Sequence, residues 1–322
     1  MKRLGASGLP RRVGRLMACL AAGLAASVPI ASAGAQRMHV LVVAGLSGDP
    51  AFRQRFADAV TATRTAAVQR WGVSDSSLLV LTEDSLAAGR PVRRSTRENI
   101  GAAFLVLSTR VQPGDVLLVL LIGHGSGEGP QSKVNLPGPD ATATEYAAWL
   151  RPFAAQQVVF VNAATGSGDF VPVLAGPGRV VITATRSALE KNDAEFLQHF
   201  TRALGGDDAD ADKDGRLSVH EAFRFARTEV AKSYERTNRM LTEHAVVSDS
   251  LAAARITFGR RAAADPRIAA LIAERQALES QVAALRAKKA SMDTTAYEAE
   301  LERLLLAIAE KSQAIRAAGG DL

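Results

Sequence analysis

A continuous apolar run constrains the fold of this chain more than any other feature. Seven apolar residues, 116–122 (VLLVLLI), follow Asp115 and precede Gly123 without one polar interruption. A strand of this kind must be covered on both faces, which is typical of the centre of a parallel sheet. Four shorter apolar runs, which we interpret as strands, alternate with amphipathic, helix-like stretches. The predicted strands are 39–46, 77–83, 157–162 and 179–185, and the predicted helices are 49–70, 95–111 and 144–154. The alternation predicts an α/β domain with a mostly parallel sheet flanked by helices.

The part of the chain after residue 185 reads as helical. We predict helices at 192–204 and 219–236, and capping boxes at Ser95–Glu98 and Thr295–Glu298. Residues 263–322 are rich in Ala, Leu, Glu, Lys, Arg and Gln, with leucines and isoleucines at helical spacing. This segment predicts a helical hairpin or coiled coil, which would serve either as a docking or oligomerisation element or as packing for its parent domain.

Residues 1–36 have the pattern of a secretory signal. The segment has a basic start, an apolar middle and small residues before candidate cleavage points at Ala33 and Ala35. We therefore expect a periplasmic or secreted protein. No later segment is apolar over a length that could span a membrane, so no span is expected after cleavage.

Charge and cysteine content exclude several functions. Five of the 39 basic residues lie in the first 36 positions with no acid, which leaves 34 basic and 33 acidic residues. A net charge of +1 gives no electrostatic basis for nucleic-acid binding. The single cysteine is Cys19, so the processed chain would hold no disulfide and no thiolate nucleophile.

Candidate functional groups stand where two predicted strands end. His124 follows the most apolar strand within Gly-His-Gly, and Thr165 and Ser167 follow the strand that ends at Asn162. In open α/β sheets, functional groups collect at the carboxyl ends of strands. The spacing leaves room for one crossover helix, so the two strands can be neighbours and His124 can face Thr165. The N–H of Gly125 is a candidate oxyanion donor.

The two motifs together resemble the caspase–legumain group of cysteine peptidases. In that group an apolar strand ends in His-Gly, and about forty residues later another ends in Ala-Cys-x-Ser-Gly. Here the corresponding stretches are 122–125 (IGHG) and 164–168 (ATGSG), followed by a third strand within 178–187 as in bacterial legumain-like members. The resemblance implies a caspase/legumain-like α/β domain over 37–258, with His124 in the position of the catalytic histidine and a peptide or protein as its partner.

The chain departs from this family at the nucleophile. Aligned on Ser167–Gly168, the family cysteine falls on Thr165; aligned on Asn162–Ala163, it falls on Ala164. Neither position holds a thiol, so cysteine-peptidase chemistry does not carry over.

Two interpretations follow from the missing thiol. Catalysis is either lost, or it is altered so that the Thr165 or Ser167 hydroxyl attacks with His124 as general base. The second interpretation requires a hydrogen bond from hydroxyl to imidazole and a group that orients the imidazole. Asp169 and Glu128 are the acidic candidates for that orienting role.

A separate motif predicts calcium binding. Residues 210–221 (DADKDGRLSVHE) fit the twelve-residue EF-hand loop, with Gly215 at the sharp turn. The expected Ca²⁺ ligands are the side chains of Asp210, Asp212 and Asp214, the Arg216 carbonyl, a water held by Ser218, and the Glu221 carboxylate. The alternative is a solvated acidic loop. With the peptidase likeness set aside, the motif alone would make the protein a calcium-dependent structural module.

Overall fold

The computed structural model describes residues 37–87, 90–258 and 266–318. The predicted signal at 1–36 lies outside the described residues, as do positions 263–265 and 319–322 of the predicted hairpin.

The described strands, in chain order, are two residues long except for five strands of the central sheet, which have five to seven residues. They are β1 (Met38–Ala44), β2 (Leu78–Thr82), β3 (Leu86–Ala87), β4 (Arg90–Pro91), β5 (Arg93–Arg94), β6 (Val116–Ile122), β7 (Gly125–Ser126), β8 (Lys133–Val134), β9 (Ala141–Thr142), β10 (Gln157–Asn162), β11 (Arg179–Thr183), β12 (Leu217–Ser218), β13 (Val246–Val247) and β14 (Thr257–Phe258).

The described α-helices follow the same order. They are α1 (Pro50–Thr65), α2 (Arg97–Arg110), α3 (Ala143–Trp149), α4 (Phe170–Leu174), α5 (Phe196–Gly205), α6 (Val219–Arg236), α7 (Ser250–Arg255), α8 (Pro266–Ala287) and α9 (Thr294–Ala317). A π-helical segment, Ala66–Arg70, continues α1.

The predicted α/β class is confirmed. Across the described residues the central sheet has the order β13-β11-β10-β6-β1-β2-β5, and every pairing in it is parallel except that of the edge strand β13 with β11. The apolar run 116–122 is β6, and it lies at the middle of the sheet between β1 and β10.

Helices cover both faces of the sheet, which explains why β6 has no polar alternation. One core layer contains Val40, Leu118 and Phe200 and packs under α1, α5 and α6. The opposite layer contains Leu41, Leu117 and residues of α2 and α3. Successive residues of each strand point to opposite layers, so both must be apolar.

Both predicted capping boxes are wrong. Ser95 donates its hydroxyl to the Ala44 carbonyl, and Thr96 caps α2 through the Asn99 N–H. Asp293 caps α9 through Ala296 N–H, which displaces Thr295 from that role. Thr96 is the cap of α2 because the Ser95 hydroxyl is bonded to Ala44, and Asp293 is the cap of α9 because Thr295 lies inside that helix. The structure has capping boxes at Thr142–Glu145 and Ser218–Glu221 instead.

The C-terminal segment forms two helices joined by a short turn, as predicted. Leu285 of α8 and Tyr297 and Leu304 of α9 are buried in a cluster between them. Leu305, one of the leucines at helical spacing in this segment, is 48% exposed and so does not belong to the packed face. Among the residues that the structure describes, no helix combines the length and apolarity needed to cross a membrane.

The buried carboxylate of Glu243 holds the start of α5. Its two oxygens accept the N–H groups of Glu195 and Phe196, each at 2.7 Å. Burial raises the pKa of Glu243 to about 7, against the opposing effect of the two N–H bonds.

We expect this group to make folding stability depend on pH. The folded chain keeps a proton on Glu243 between about pH 4.5 and 7, where the unfolded chain releases it. The resulting stability is complete below about pH 4.5 and is lost as the pH rises to about 7. Urea unfolding at pH 5 and pH 8 should show this decline in the native chain and a smaller decline in Glu243→Gln. Equal declines in the two proteins would show that Glu243 titrates normally.

Candidate active-site cleft

The two strands that carry the candidate catalytic groups are direct neighbours. Strands β6 and β10 pair in parallel, with Leu121 opposite Asn162, and the crossover between them contains α3 as predicted. The turns that follow the strands are in close contact. A Cβ on Gly125 would lie 2.4 Å from the Thr165 carbonyl oxygen, so only glycine fits there. His124 and Thr165 therefore reach the same edge of the sheet.

The direction of each residue after β10 distinguishes the two alignments of the missing cysteine. Ala163 packs in the core layer under α1 and α5, whereas Ala164 is fully buried in the opposite layer. Thr165 returns to the first side and lines the same cleft as His124. Thr165, and not Ala164, thus occupies the position from which a side chain can reach the cleft.

The cleft lies between α1 and α5 and has a volume of about 530 Å³. Its walls are mainly apolar, and its charged residues have partners. Arg55 pairs with Asp193 at 2.8 Å across the cleft, and Arg202 pairs with Glu229 at 2.8 Å. The apolar wall residues include Phe52, Phe56, Ala59, Ala62, Ala194 and Leu197.

The His124 imidazole contacts two rings and one backbone carbonyl. The Phe52 ring meets it edge-on at a centroid distance of 4.4 Å, and the Phe56 ring lies at 5.5 Å. Nε2 lies 3.2 Å from the carbonyl oxygen of Ser47. Because a carbonyl oxygen can only accept, Nε2 must carry the hydrogen, and Nδ1 of the neutral ring keeps the free lone pair.

The two candidate hydroxyls have different surroundings. The Thr165 Oγ1 accepts the N–H of Gly125 at 3.3 Å. The Ser167 hydroxyl is buried beside Thr185, with its Oγ 3.3 Å from both the Thr185 hydroxyl and the Thr185 N–H. Within the described part of the chain, neither hydroxyl is hydrogen-bonded to the His124 ring.

The acidic candidates for orienting His124 have other positions. Asp169 accepts the N–H groups of Gly129 at 2.7 Å and Ala188 at 3.3 Å, so it links the loop after β7 to the loop after β11. Glu128 is exposed. The orienting group is the backbone of Ser47, which lies in the loop between β1 and α1. A backbone carbonyl has no side-chain signature, so the sequence could not reveal it.

The predicted calcium loop brings its three aspartates together. One carboxylate oxygen from each of Asp210, Asp212 and Asp214 lies within 4.8 Å of the others. Gly215 has φ +77°, the left-handed conformation that the turn requires. Burial, and then the neighbouring carboxylates, raise the pKa of Asp212. Burial also raises the pKa of Asp214. Clustered acids of this kind fit a hard divalent cation that prefers oxygen ligands.

The remaining predicted ligands close the loop. One Glu221 oxygen accepts the N–H of Ala211 at 3.0 Å, and the other accepts the Ser218 N–H and hydroxyl at 2.8 and 2.7 Å. The Glu221 carboxylate therefore already bridges the start and end of the loop. Arg216 precedes β12, which pairs with β14 through Leu217 and Phe258. The Phe258 ring stacks on Trp71 with a centroid distance of 4.8 Å. Because Leu217, Phe258 and Trp71 all belong to the core layer under α1, α5 and α6, the end of the loop is anchored in that core.

Comparisons with known proteins give fold-level matches only. No protein-family model matches the chain, and no curated protein matches it. A solved structure from Geobacter sulfurreducens, a structural genomics target, is 14% identical and covers 70% of this chain and 99% of its own, with a TM-score of 0.43. The Drosophila initiator caspase Dronc is 9% identical and covers 69% of this chain and 82% of its own, with a TM-score of 0.41. At these scores the superposition is partial.

Proposed function

We propose that this chain is an exported caspase/legumain-like peptidase-fold protein with lost or altered catalysis, which binds peptide segments in its cleft and calcium in its 210–221 loop. The supporting observation is the hydrogen bonding of the Thr165 hydroxyl at the edge of the cleft. His124 and Thr165 share one cleft, yet the Thr165 hydroxyl is bonded to the Gly125 N–H and not to the imidazole.

This arrangement retains some parts of a peptidase site and lacks others. The imidazole has an orienting partner in Ser47, and Nδ1 is free to act as a base. A hydroxyl nucleophile must be hydrogen-bonded to that base, since a hydroxyl is far less acidic than a thiol. An oxyanion donor must also be free for the substrate oxygen, whereas the Gly125 N–H is already donated to Thr165. Both requirements are unmet at once, which favours lost catalysis.

The alternative function is an active peptidase that uses Thr165 or Ser167 with His124 as base. Thr165 is supported by its place in the cleft: rotation of its side chain would release the Gly125 N–H and redirect the hydroxyl. Ser167 would first have to leave its buried contacts with Thr185.

The cleft walls suggest which peptide side chains would bind. Arg55 and Arg202 are each neutralised by an acid, and Asp58 accepts a hydrogen bond from Gln54 at 2.8 Å. A charged ligand side chain would have to displace one of these partners. An uncharged, bulky apolar side chain would instead be buried against the phenylalanines of α1, which favours binding in proportion to the apolar area buried.

Filling the cleft tests the binding proposal. We expect Ala62→Trp to weaken binding of peptides with a central Phe or Leu by about tenfold or more, since the indole would occupy the space that the ligand needs. Thr61→Trp is the matched control, because Thr61 is exposed on the adjacent position of α1 and does not line the cleft. Calorimetric titration of the full chain with a defined peptide panel measures both. Equal affinities in the two variants would place peptide binding elsewhere.

The hairpin is proposed as a site for a partner or for self-association. Leu305 and Leu306 of α9 are 48% and 59% exposed on adjacent positions. If this surface is used for self-association, Leu305→Glu with Leu306→Glu should lower the mass of the full chain measured by sedimentation. An unchanged monomer mass in both proteins would exclude self-association.

A further inference from the structure

The Glu83 carboxylate accepts two hydrogen bonds from Ser47, the residue whose carbonyl orients His124. It follows β2, and its Oε2 accepts the Ser47 N–H at 2.6 Å while its Oε1 accepts the Ser47 hydroxyl at 2.8 Å. Two bonds to one carboxylate fix both the position and the rotation of the Ser47 peptide. The charge of Glu83 is balanced by Arg53, whose Nε lies 3.1 Å from Oε1.

The two hydrogen bonds to Glu83 determine the direction of the Ser47 carbonyl. Ser47 is 2% exposed and lies in the short connection between β1 and the Asp49 cap of α1. Its N–H and hydroxyl face Glu83, and its carbonyl faces the His124 Nε2. Hydrogen bonds to charged acceptors are stronger than neutral ones, so the carboxylate, more than the imidazole, sets the geometry of this loop.

We propose that Glu83 is a positioning residue that acts through Ser47 to hold the His124 ring in its Nε2–H tautomer, in which Nδ1 carries the lone pair. Glu83 is not among the residues that line the cleft, and its effect on the tautomer does not depend on whether catalysis survives. The proposal therefore extends beyond the function proposed above and can fail separately from it.

The test is the tautomer of His124 in the full chain. Nitrogen NMR of ¹⁵N-histidine-labelled protein, at alkaline pH where imidazoles are neutral, distinguishes Nε2–H from Nδ1–H rings. The His124 signals are assigned by their loss in His124→Gln. We expect one Nε2–H tautomer in the native chain. Glu83→Gln should shift the tautomer ratio by about tenfold toward Nδ1–H, because the Ser47 N–H and hydroxyl bond to different oxygens of Glu83 and glutamine keeps an acceptor at only one of these two positions.

Two further variants separate positioning from general destabilisation. Ser47→Ala removes one of the two bonds to Glu83 and should shift the ratio by less than Glu83→Gln does. Asp84→Asn changes the adjacent acid, which bonds to Thr82 and Leu86 and not to Ser47, and should leave the tautomer unchanged. If Glu83→Gln does not fold, Ser47→Ala alone decides the outcome. An unchanged Nε2–H signal in folded Glu83→Gln, or in Ser47→Ala when it must decide alone, would overturn the proposal.

Discussion

Thr165→Cys should give the chain a reactive thiol. We expect the full-length variant to be alkylated by iodoacetamide at position 165 about tenfold faster, or more, than at a cysteine placed at position 164. The thiolate is the reactive form, and an adjacent imidazole raises the thiolate fraction. A decrease of one unit in the thiol pKa near neutral pH corresponds to about that increase in rate. Peptide mass spectrometry localises the label and separates it from Cys19.

Three matched variants isolate the cause of this reactivity. Ala164→Cys places the thiol in the opposite core layer, and Ser167→Cys places it against Thr185. His124→Ala in the Thr165→Cys background removes the imidazole while leaving the thiol in the cleft. We expect slow alkylation in all three. Reactivity at 165 that survives His124→Ala would show that the two residues do not cooperate.

Calcium should stabilise the folded chain strongly. At a free Ca²⁺ concentration about 100-fold above Kd, the gain is about 2.7 kcal/mol. For a domain of this size such a gain corresponds to a rise in Tm of about 5–10 °C. Thermal unfolding followed by circular dichroism, with and without millimolar Ca²⁺, measures it.

The variants for this experiment are chosen to preserve the fold. Glu221→Gln keeps the capping box with Ser218, because the glutamine amide oxygen can also accept the Ser218 N–H, but it removes the charge that Ca²⁺ needs. Asp210→Asn changes the first ligand. Asp208→Asn is the control, since Asp208 precedes the loop and is exposed. The rise in Tm should disappear in the first two variants and persist in the third. The absence of any rise in the native chain at millimolar Ca²⁺ would exclude the calcium proposal.

The sequence predicted best those strands and helices whose burial requires a regular pattern of apolar residues. The uninterrupted run 116–122 predicted a central strand covered on both faces, and β6 occupies that position. The predicted helix 219–236 also has the observed bounds, since its apolar period is regular along its length. The neighbouring placement of His124 and Thr165 followed from two strand ends and one crossover.

Features that depend on three-dimensional contacts could not be predicted. The two-residue edge strand β13 is too short for any periodicity. The group that orients His124 is a backbone carbonyl, that of Ser47. Glu83 is 36 positions away in the sequence from Ser47, to which it is hydrogen-bonded. The predictions of capping boxes failed because Ser-x-x-Glu and Thr-x-x-Glu spacings occur by chance, whereas the cap is the residue at which the backbone leaves the helical conformation. Ser167 looked equivalent to Thr165 until its partner Thr185, 18 positions later, was known.

The most direct test of lost catalysis is peptide hydrolysis by the purified protein, with and without Ca²⁺, against a mixed peptide library. His124→Ala, Thr165→Ala and Ser167→Ala are assayed beside it. The bond between Thr165 and Gly125 predicts no cleavage above background, and no difference among the four proteins. Cleavage by the native chain that vanishes in His124→Ala and in one hydroxyl variant would contradict the proposal and establish a hydroxyl-nucleophile peptidase.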